Sequence, residues 1–372
     1  MIYLDYAASS PPLPQAIEEM RTVALTQFGN PGAIHQQGAE ARGVLHKSRI
    51  LLAKVTNVRP EEIFFTSGGT ESNNWAIRAG CASGGQKHIV CNSVEHSSVL
   101  AAVEEMKKIG YDVTYLNPDR KGRILPEAVE GVLRPGTALL CVQAVNNETG
   151  VIQDVNGLSA LARRKGVRFF CDGVQSFGHV SQDLHKADLI SLSAHKLGGP
   201  RGVGCLIIRQ PLSPAPMILG GGQEFGLRSG TENLPGIAGF ARAAALSAEE
   251  LPREQPRLAA LRELLESRLR DVCPEIRIAG EGAPRSSILC CAFPGITGEE
   301  MVVRLDLKGI CASPGAACAA RSTKPSHVLL SMGYTPKEAA EFVRFSLGRN
   351  TTEGEICRTV SALADIIRRK RS

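Results

Sequence analysis

Between residues 63 and 208, short apolar runs alternate with helical patterns, and this alternation constrains the fold more than any other feature. Candidate strands are Ile63–Thr66, His88–Cys91, Val113–Tyr115, Leu139–Val142, Val167–Cys171, Ala187–Leu192 and Gly204–Ile208. Between them lie amphipathic stretches such as Ser98–Ile109 and Leu158–Lys165. A continuous apolar run suits a strand covered on both faces, and the alternation supplies the helices that cover it. The expectation is an α/β protein whose large domain has a mostly parallel, seven-stranded-type sheet flanked by helices. Such sheets bind ligands outside the carboxyl ends of their strands. The residues just past each run are therefore the first place to look for chemistry.

With 372 residues, 43% of them hydrophobic, the chain can bury a second, smaller core as well. Composition shifts near Glu249–Arg257, where two prolines and several charges gather. A long helix, Leu258–Asp271, is expected to lead from there into a smaller α+β domain. That domain reads as a strand at Ser287–Ala292, a helix at Glu299–Leu307, a further strand, a loop and helices, ending with Thr352–Arg368. The expected division is residues 14–255 for the large domain and residues 1–13 with 256–372 for the small one. The formal charge of +6 is modest. The terminal Arg368-Arg369-Lys370-Arg371 reads as a frayed, solvated end, with contact to tRNA or an acidic protein as the alternative. Direct nucleic-acid binding is not expected.

Met1-Ile2-Tyr3-Leu4-Asp5 lacks the basic start and apolar core of a signal peptide, and no apolar run reaches membrane-spanning length. The 11 cysteines are odd in number, irregularly spaced and without a C-x-x-C, which argues against a disulfide framework and a structural zinc site. The reducing cytoplasm is the expected compartment. Cys141, Cys171, Cys205, Cys290 and Cys291 lie among apolar residues and read as small buried hydrophobes.

Five strand-end motifs carry candidate chemistry. Ser193-Ala194-His195-Lys196-Leu197-Gly198-Gly199-Pro200 puts a lysine on irregular backbone just past a strand, placed to form a Schiff base with a carbonyl cofactor or, more plainly, to be solvated. Thr66-Ser67-Gly68-Gly69-Thr70-Glu71-Ser72-Asn73 opens a helix pattern, so its free N–H groups suit a phosphate, or form a plain helix cap. Asp172-Gly173-Val174-Gln175 offers an acid to a protonated pyridine nitrogen, or a helix cap. Glu95-His96-Ser97-Ser98 offers an imidazole for stacking and proton transfer, or a helix-start histidine. Asn146-Asn147-Glu148-Thr149-Gly150 offers two amides, or a turn.

Taken in chain order, from the Thr66–Asn73 turn through His96, the Asn146-Asn147 pair and Asp172-x-x-Gln175 to Ser193-x-His195-Lys196, these motifs resemble those of the cysteine desulfurases of the NifS/IscS type, in the fold-type I (class V aminotransferase) superfamily. The resemblance runs from Tyr3-Leu4-Asp5-Tyr6-Ala7-Ala8 and Phe28-Gly29-Asn30-Pro31 to Arg344-Phe345-Ser346-Leu347-Gly348-Arg349. It implies pyridoxal 5'-phosphate as cofactor, L-cysteine as substrate and a homodimer. Lys196 resembles the lysine that anchors the cofactor and moves protons, and His96 the stacking histidine. Asp172 resembles the pyridinium partner; Gln175 and Asn147 resemble the ring-oxygen and substrate-orienting amides. Thr70, Ser193 and His195, with the Gly69 backbone, resemble the phosphate cradle. Thr231, in Arg228-Ser229-Gly230-Thr231, resembles the residue that reaches the neighbouring subunit's phosphate, and Arg344 the clamp on the substrate carboxylate, a task its planar fork suits.

Cys318 lies among small and polar residues, in Ser313-Pro314-Gly315-Ala316-Ala317-Cys318-Ala319-Ala320-Arg321-Ser322-Thr323-Lys324. Arg321 and Lys324 favour its thiolate. The resemblance implies that Cys318 is the catalytic cysteine, which takes the substrate's sulfur as a persulfide, releases alanine and passes the sulfur to an acceptor protein. Cys311, on the run Gly309–Ala312, is the lesser candidate. The spacing from Cys318 to Pro325-Ser326-His327 implies the long loop of the NifS/IscS group. Pro314 and Ala316 stand where the family often has serine. The chain ends at Ser372, without the tail that docks the iron–sulfur scaffold in housekeeping members, which leaves iron–sulfur assembly, tRNA thiolation or another sulfur pathway open. The rival readings are a selenocysteine lyase or another pyridoxal-phosphate enzyme on this scaffold, and a non-catalytic partner-binding protein.

Overall fold

The structure, a computed structural model, describes residues 1–82, 85–212, 214–315 and 325–371. Cys318, Arg321 and Lys324 lie outside the described residues.

The chain opens with a two-residue strand β1 (Ile2–Tyr3) and helices α1 (Pro14–Thr26) and α2 (Gln36–Thr56). The alternating region follows: β2 (Ile63–Thr66), α3 (Gly69–Cys81), β3 (His88–Asn92), α4 (Ser97–Lys108), β4 (Asp112–Leu116), α5 (Pro126–Val132), β5 (Thr137–Cys141), α6 (Val155–Arg164), β6 (Arg168–Asp172), β7 (Leu189–Ser193) and β8 (Gly204–Ile208). Seven of these strands form one sheet in the order β2-β8-β7-β6-β5-β3-β4. All neighbours are parallel except those of β8, which runs antiparallel to β2 and β7. Successive side chains point to opposite faces. Thus Val90, Leu140, Phe169 and Ile190 pack in one core, and Ile89, Leu139, Phe170 and Leu189 in another. Every residue of β3, β5, β7 and β8 is buried, as the unbroken apolar runs require.

Helix α7 (Leu234–Val272) starts well before the expected helix Leu258–Asp271. It is a single helix of 39 residues that runs through Pro252 and Pro256. A proline inside a helix removes a hydrogen bond and crowds the preceding turn. Here both ends are fixed by packing: residues from Leu234 to Ser247 are buried with the large sheet, and Leu258, Leu265 and Leu269 with a second core. Between Ser247 and Leu258 no side chain is fully buried, so the prolines sit where the helix is least constrained.

That second core surrounds a four-stranded antiparallel sheet. Its strands are β9 (Arg277–Ile278), β10 (Ile288–Ala292), β12 (Ser313–Pro314) and β13 (Phe342–Ser346), ordered β12-β13-β10-β9. Helices α8 (Gly298–Asp306), α9 (His327–Ser331), α10 (Pro336–Ala339) and α11 (Glu353–Arg371) complete it, with β11 (Ile310–Cys311) paired in parallel to β1. The basic end is helical rather than frayed: Arg368 pairs with Asp365 within α11, and Lys370 pairs with Glu300 of α8. Alternation along β13 buries Val343 and Phe345 in the α7–α11 core and turns Arg344 to the opposite face. The N-terminal segment bridges the two regions: the Ala7 N–H donates to Ser346 Oγ at 2.9 Å, and the Ser10 N–H donates to the His195 carbonyl at 3.0 Å.

Candidate active site

The carboxyl ends of β2, β3, β5, β6 and β7 open into one cavity of about 420 Å³. It is lined by Gly69, Thr70, His96, Asn147, Asp172, Gln175, Ser193, His195, Lys196 and Arg344, and also by Asn73 and Gln143. Ten of the predicted residues therefore meet in one place, although Gly69 and Arg344 are far apart in sequence. Thr231 does not line it; it is exposed, just before α7.

The turn before α3 is built from two close approaches. Gly68 has φ of 154°, a conformation glycine tolerates. A Cβ on Gly204, at the start of β8, would lie 2.8 Å from Gly68 Cα and 2.6 Å from the Leu192 carbonyl. The two glycines let the turn sit against the sheet, which leaves the first N–H groups of α3 placed to receive an anion. Glu71 braces the turn: it accepts from the Ser67 N–H at 2.9 Å and pairs with Arg228 at 2.8 Å.

Asp172 closes β6. Its Oδ1 accepts from the Val174 N–H at 3.0 Å and its Oδ2 from Asn73 Nδ2 at 2.8 Å. Asn73 also donates to Ser98 Oγ at 2.9 Å, and Ser98 in turn lies 2.7 Å from His96 Nδ1. His96 caps α4 by accepting the Ser98 backbone N–H at Nδ1, so a neutral ring carries its proton on Nε2. Asn73 and Ser98 thus join the two ring-facing candidates. The sequence displayed both residues but not their roles: Asn73 lies one helical turn beyond Gly69, on the same face of α3.

Lys196 follows β7 and donates from Nζ to the carbonyls of Ala7 and, at 3.0 Å, Ala8. Its own carbonyl accepts from Ser10 Oγ at 2.7 Å and from His179 Nε2 at 2.9 Å. Gln175 Nε2 donates to the Ala7 carbonyl at 2.8 Å. Burial, then Lys196 and Arg201, push the His195 imidazole down to about 4, so it is neutral at pH 7 and offers a single N–H.

Arg344 is 1% exposed. It donates from Nη2 to Asp5 Oδ1 at 2.8 Å and from Nη1 to the Asn147 carbonyl at 2.9 Å. Its Nε has no partner among the described residues. Asp5 and Asn147 thus aim the guanidinium from two sides. Cys311 is half-buried in β11, and burial pushes its thiol up, away from the reactive range. Cys141, Cys171, Cys205, Cys290 and Cys291 are fully buried, as expected of small hydrophobes.

The donor set fits pyridoxal phosphate: an amine for the carbonyl, a buried carboxylate for the ring nitrogen, and helix N–H groups with hydroxyls for the phosphate. The family model for class V aminotransferases matches residues 2–358. The chain belongs to the class V aminotransferases. Within that family its relatives are cysteine desulfurases. It is 38% identical to the cysteine desulfurase IscS of Dictyoglomus turgidum, over 100% of this chain and 95% of that protein. It is 39% identical to the cysteine desulfurase of Cereibacter sphaeroides, covering 98% and 95%. A solved NifS-like protein superposes with a TM-score of 0.91 at 33% identity, covering 99% of each chain. This class V aminotransferase is of the NifS/IscS type and depends on pyridoxal phosphate.

Proposed function

We propose that this enzyme is a cysteine desulfurase that converts L-cysteine to L-alanine and holds the sulfur as a persulfide on Cys318. The observation that carries the reading is the single cavity in which Lys196, Asp172, His96 and Arg344 meet. Bound pyridoxal phosphate supplies an electron sink for negative charge that develops on the substrate. Lys196 anchors the cofactor through Nζ and moves the proton at the substrate Cα. Asp172, fixed by Asn73 and the Val174 N–H, holds the proton on the pyridine nitrogen. Gly69, Thr70, Ser193 and neutral His195 hold the phosphate, and Gln175 and Asn147 orient ring and substrate. Arg344 binds the substrate carboxylate. His96 moves a proton from Nε2. The Cys318 thiolate attacks the substrate sulfur; an S–S bond forms, the Cβ–S pair returns to carbon, and protonation there completes alanine.

Two units, 14–255 and 1–13 with 256–372, joined through α7, are supported by the separate cores. A homodimer in which Thr231 serves the neighbouring phosphate is supported by its exposure and by the exposed Phe28, Ile34, Leu219 and Phe225. A cytoplasmic enzyme that passes sulfur to an acceptor protein, a scaffold or a sulfur carrier, fits the ten cysteines among the described residues, which form no disulfides with one another. Iron–sulfur assembly is the pathway that the relatives' IscS names favour.

The test is a pair of variants. Lys196→Ala loses the yellow colour of the holoenzyme. Cys318→Ser keeps the colour and stops sulfide and alanine release from L-cysteine. Full turnover by Cys318→Ser removes that residue from the mechanism. Turnover of L-selenocysteine but not L-cysteine moves the enzyme to the selenocysteine lyases.

A further inference from the structure

Two buried carboxyls beside the cavity have no part in the chemistry above. Each follows or precedes a residue that lines it: Glu95 before His96, and Glu148 after Asn147. Both residues touch the start of α9, through Ser326 at Glu148 and His327 at the Glu95 carbonyl.

We propose that Glu148 is a positioning residue for the sulfur-accepting step, tying Ser326, the N-cap of α9 that follows Cys318 closely in sequence, to the turn that carries Asn147. This inference rests on the reading of Cys318 as the sulfur acceptor. Ser326 Oγ donates a short hydrogen bond to Glu148 Oε2. Ser326 also caps α9 by accepting the Leu329 N–H, and the next residue, His327, donates from Nε2 to the Glu95 carbonyl at 3.0 Å. The start of α9 is thus pinned to both strand-end turns that present His96 and Asn147.

Glu148 is itself held firmly. Its N–H and that of Thr149 donate to Asn146 Oδ1 at 3.0 and 2.8 Å, and it is 4% exposed. A carboxyl in such a place is costly unless it does something an apolar residue cannot. The charged and titratable groups around it are Arg344 on β13, His96 at the start of α4 and Cys290 on β10. Burial raises its affinity for a proton to a pKa of about 7, while Ser326, Arg344 and His96 pull the other way. Its charge therefore responds near neutral pH to the same arginine that binds substrate.

The test uses holoenzyme and L-cysteine, with single-turnover alanine formation and the steady-state constants as readouts. Glu148→Ala and Ser326→Ala are each expected to lower kcat at least about tenfold while KM and the cofactor absorption stay within about twofold. The double variant is expected to be no slower than the worse single, because both remove one link. Glu148→Gln and Ser326→Thr, which keep an acceptor and a hydroxyl, are expected to recover to within about threefold of the native chain. Unchanged kcat in both alanine variants, losses confined to KM or cofactor absorption, or multiplicative losses in the double variant overturn the proposal. Cys318→Ser runs alongside: if it turns over normally, the underlying reading fails, whereas a dead Cys318→Ser with active Glu148→Ala refutes the positioning role alone.

Discussion

At the residue scale, the site is governed by where charge is allowed. Asp172 accepts from one backbone N–H and one amide. Glu95, fully buried, has Oε1 engaged by the Gln143 N–H and Asn92 Nδ2, while its Oε2 has no partner among the described residues. Burial pushes the Glu95 carboxyl up to about 8, and the nearby Asp172 adds to this. The native state thus binds a proton that the unfolded chain, with an ordinary carboxyl, releases above pH 4.5. The stabilising contribution of neutral Glu95 is present below that pH and is lost as pH rises through about 8. Glu95→Gln removes this dependence. Between pH 5 and 8 the native chain should lose stability relative to Glu95→Gln by up to about 4 kcal/mol. Denaturant unfolding at the two pH values measures it, and parallel pH slopes for the two proteins count against it.

At the element scale, the Gly68-Gly69 turn before α3 depends on backbone approaching backbone. Gly204→Ala places a methyl against the Leu192 carbonyl and Gly68 Cα, neither of which is a flexible side-chain end. The substitution is expected to cost about 1–3 kcal/mol and to weaken cofactor affinity by shifting the start of α3. Gly131→Ala, on α5, meets nothing within 4 Å and is the control; it should be neutral or stabilise by up to about 1 kcal/mol. Thermal unfolding and cofactor titration of both variants check the pair. An unshifted melting temperature for Gly204→Ala contradicts the packing argument. Helix α7 carries a related lesson. Its prolines mark a stretch without buried side chains, not an end, because packing on either side holds the helix together.

At the scale of the whole molecule, Thr231 separates one subunit's site from two. It is exposed and outside the cavity of its own chain. A dimer of twice 39.7 kDa is expected by sedimentation. Thr231→Ala should bind cofactor several-fold more weakly. Mixed dimers of Lys196→Ala and Thr231→Ala subunits should recover one native site, with Lys196 from one chain and Thr231 from the other. No recovery in purified mixed dimers would place Thr231 outside the partner's site.

The positions of the strands along the chain, and the motifs at their ends, were legible because a parallel sheet imposes a local signature. Buried strands read as apolar runs, and binding residues must follow them. Lys196, Asp172, His96, Asn147 and the Gly69 turn could therefore be read from the chain alone. Tertiary structure decided the rest, since side chains distant in sequence meet only when elements pack. It joined Asn73 to Asp172, set Asp5 and the Asn147 carbonyl on Arg344, and closed Lys196 against Ala7 and Ala8. It also brought Glu148 to Ser326. Each contact spans two elements whose relative placement follows from the cores that bury them, so no local pattern of residue types records it.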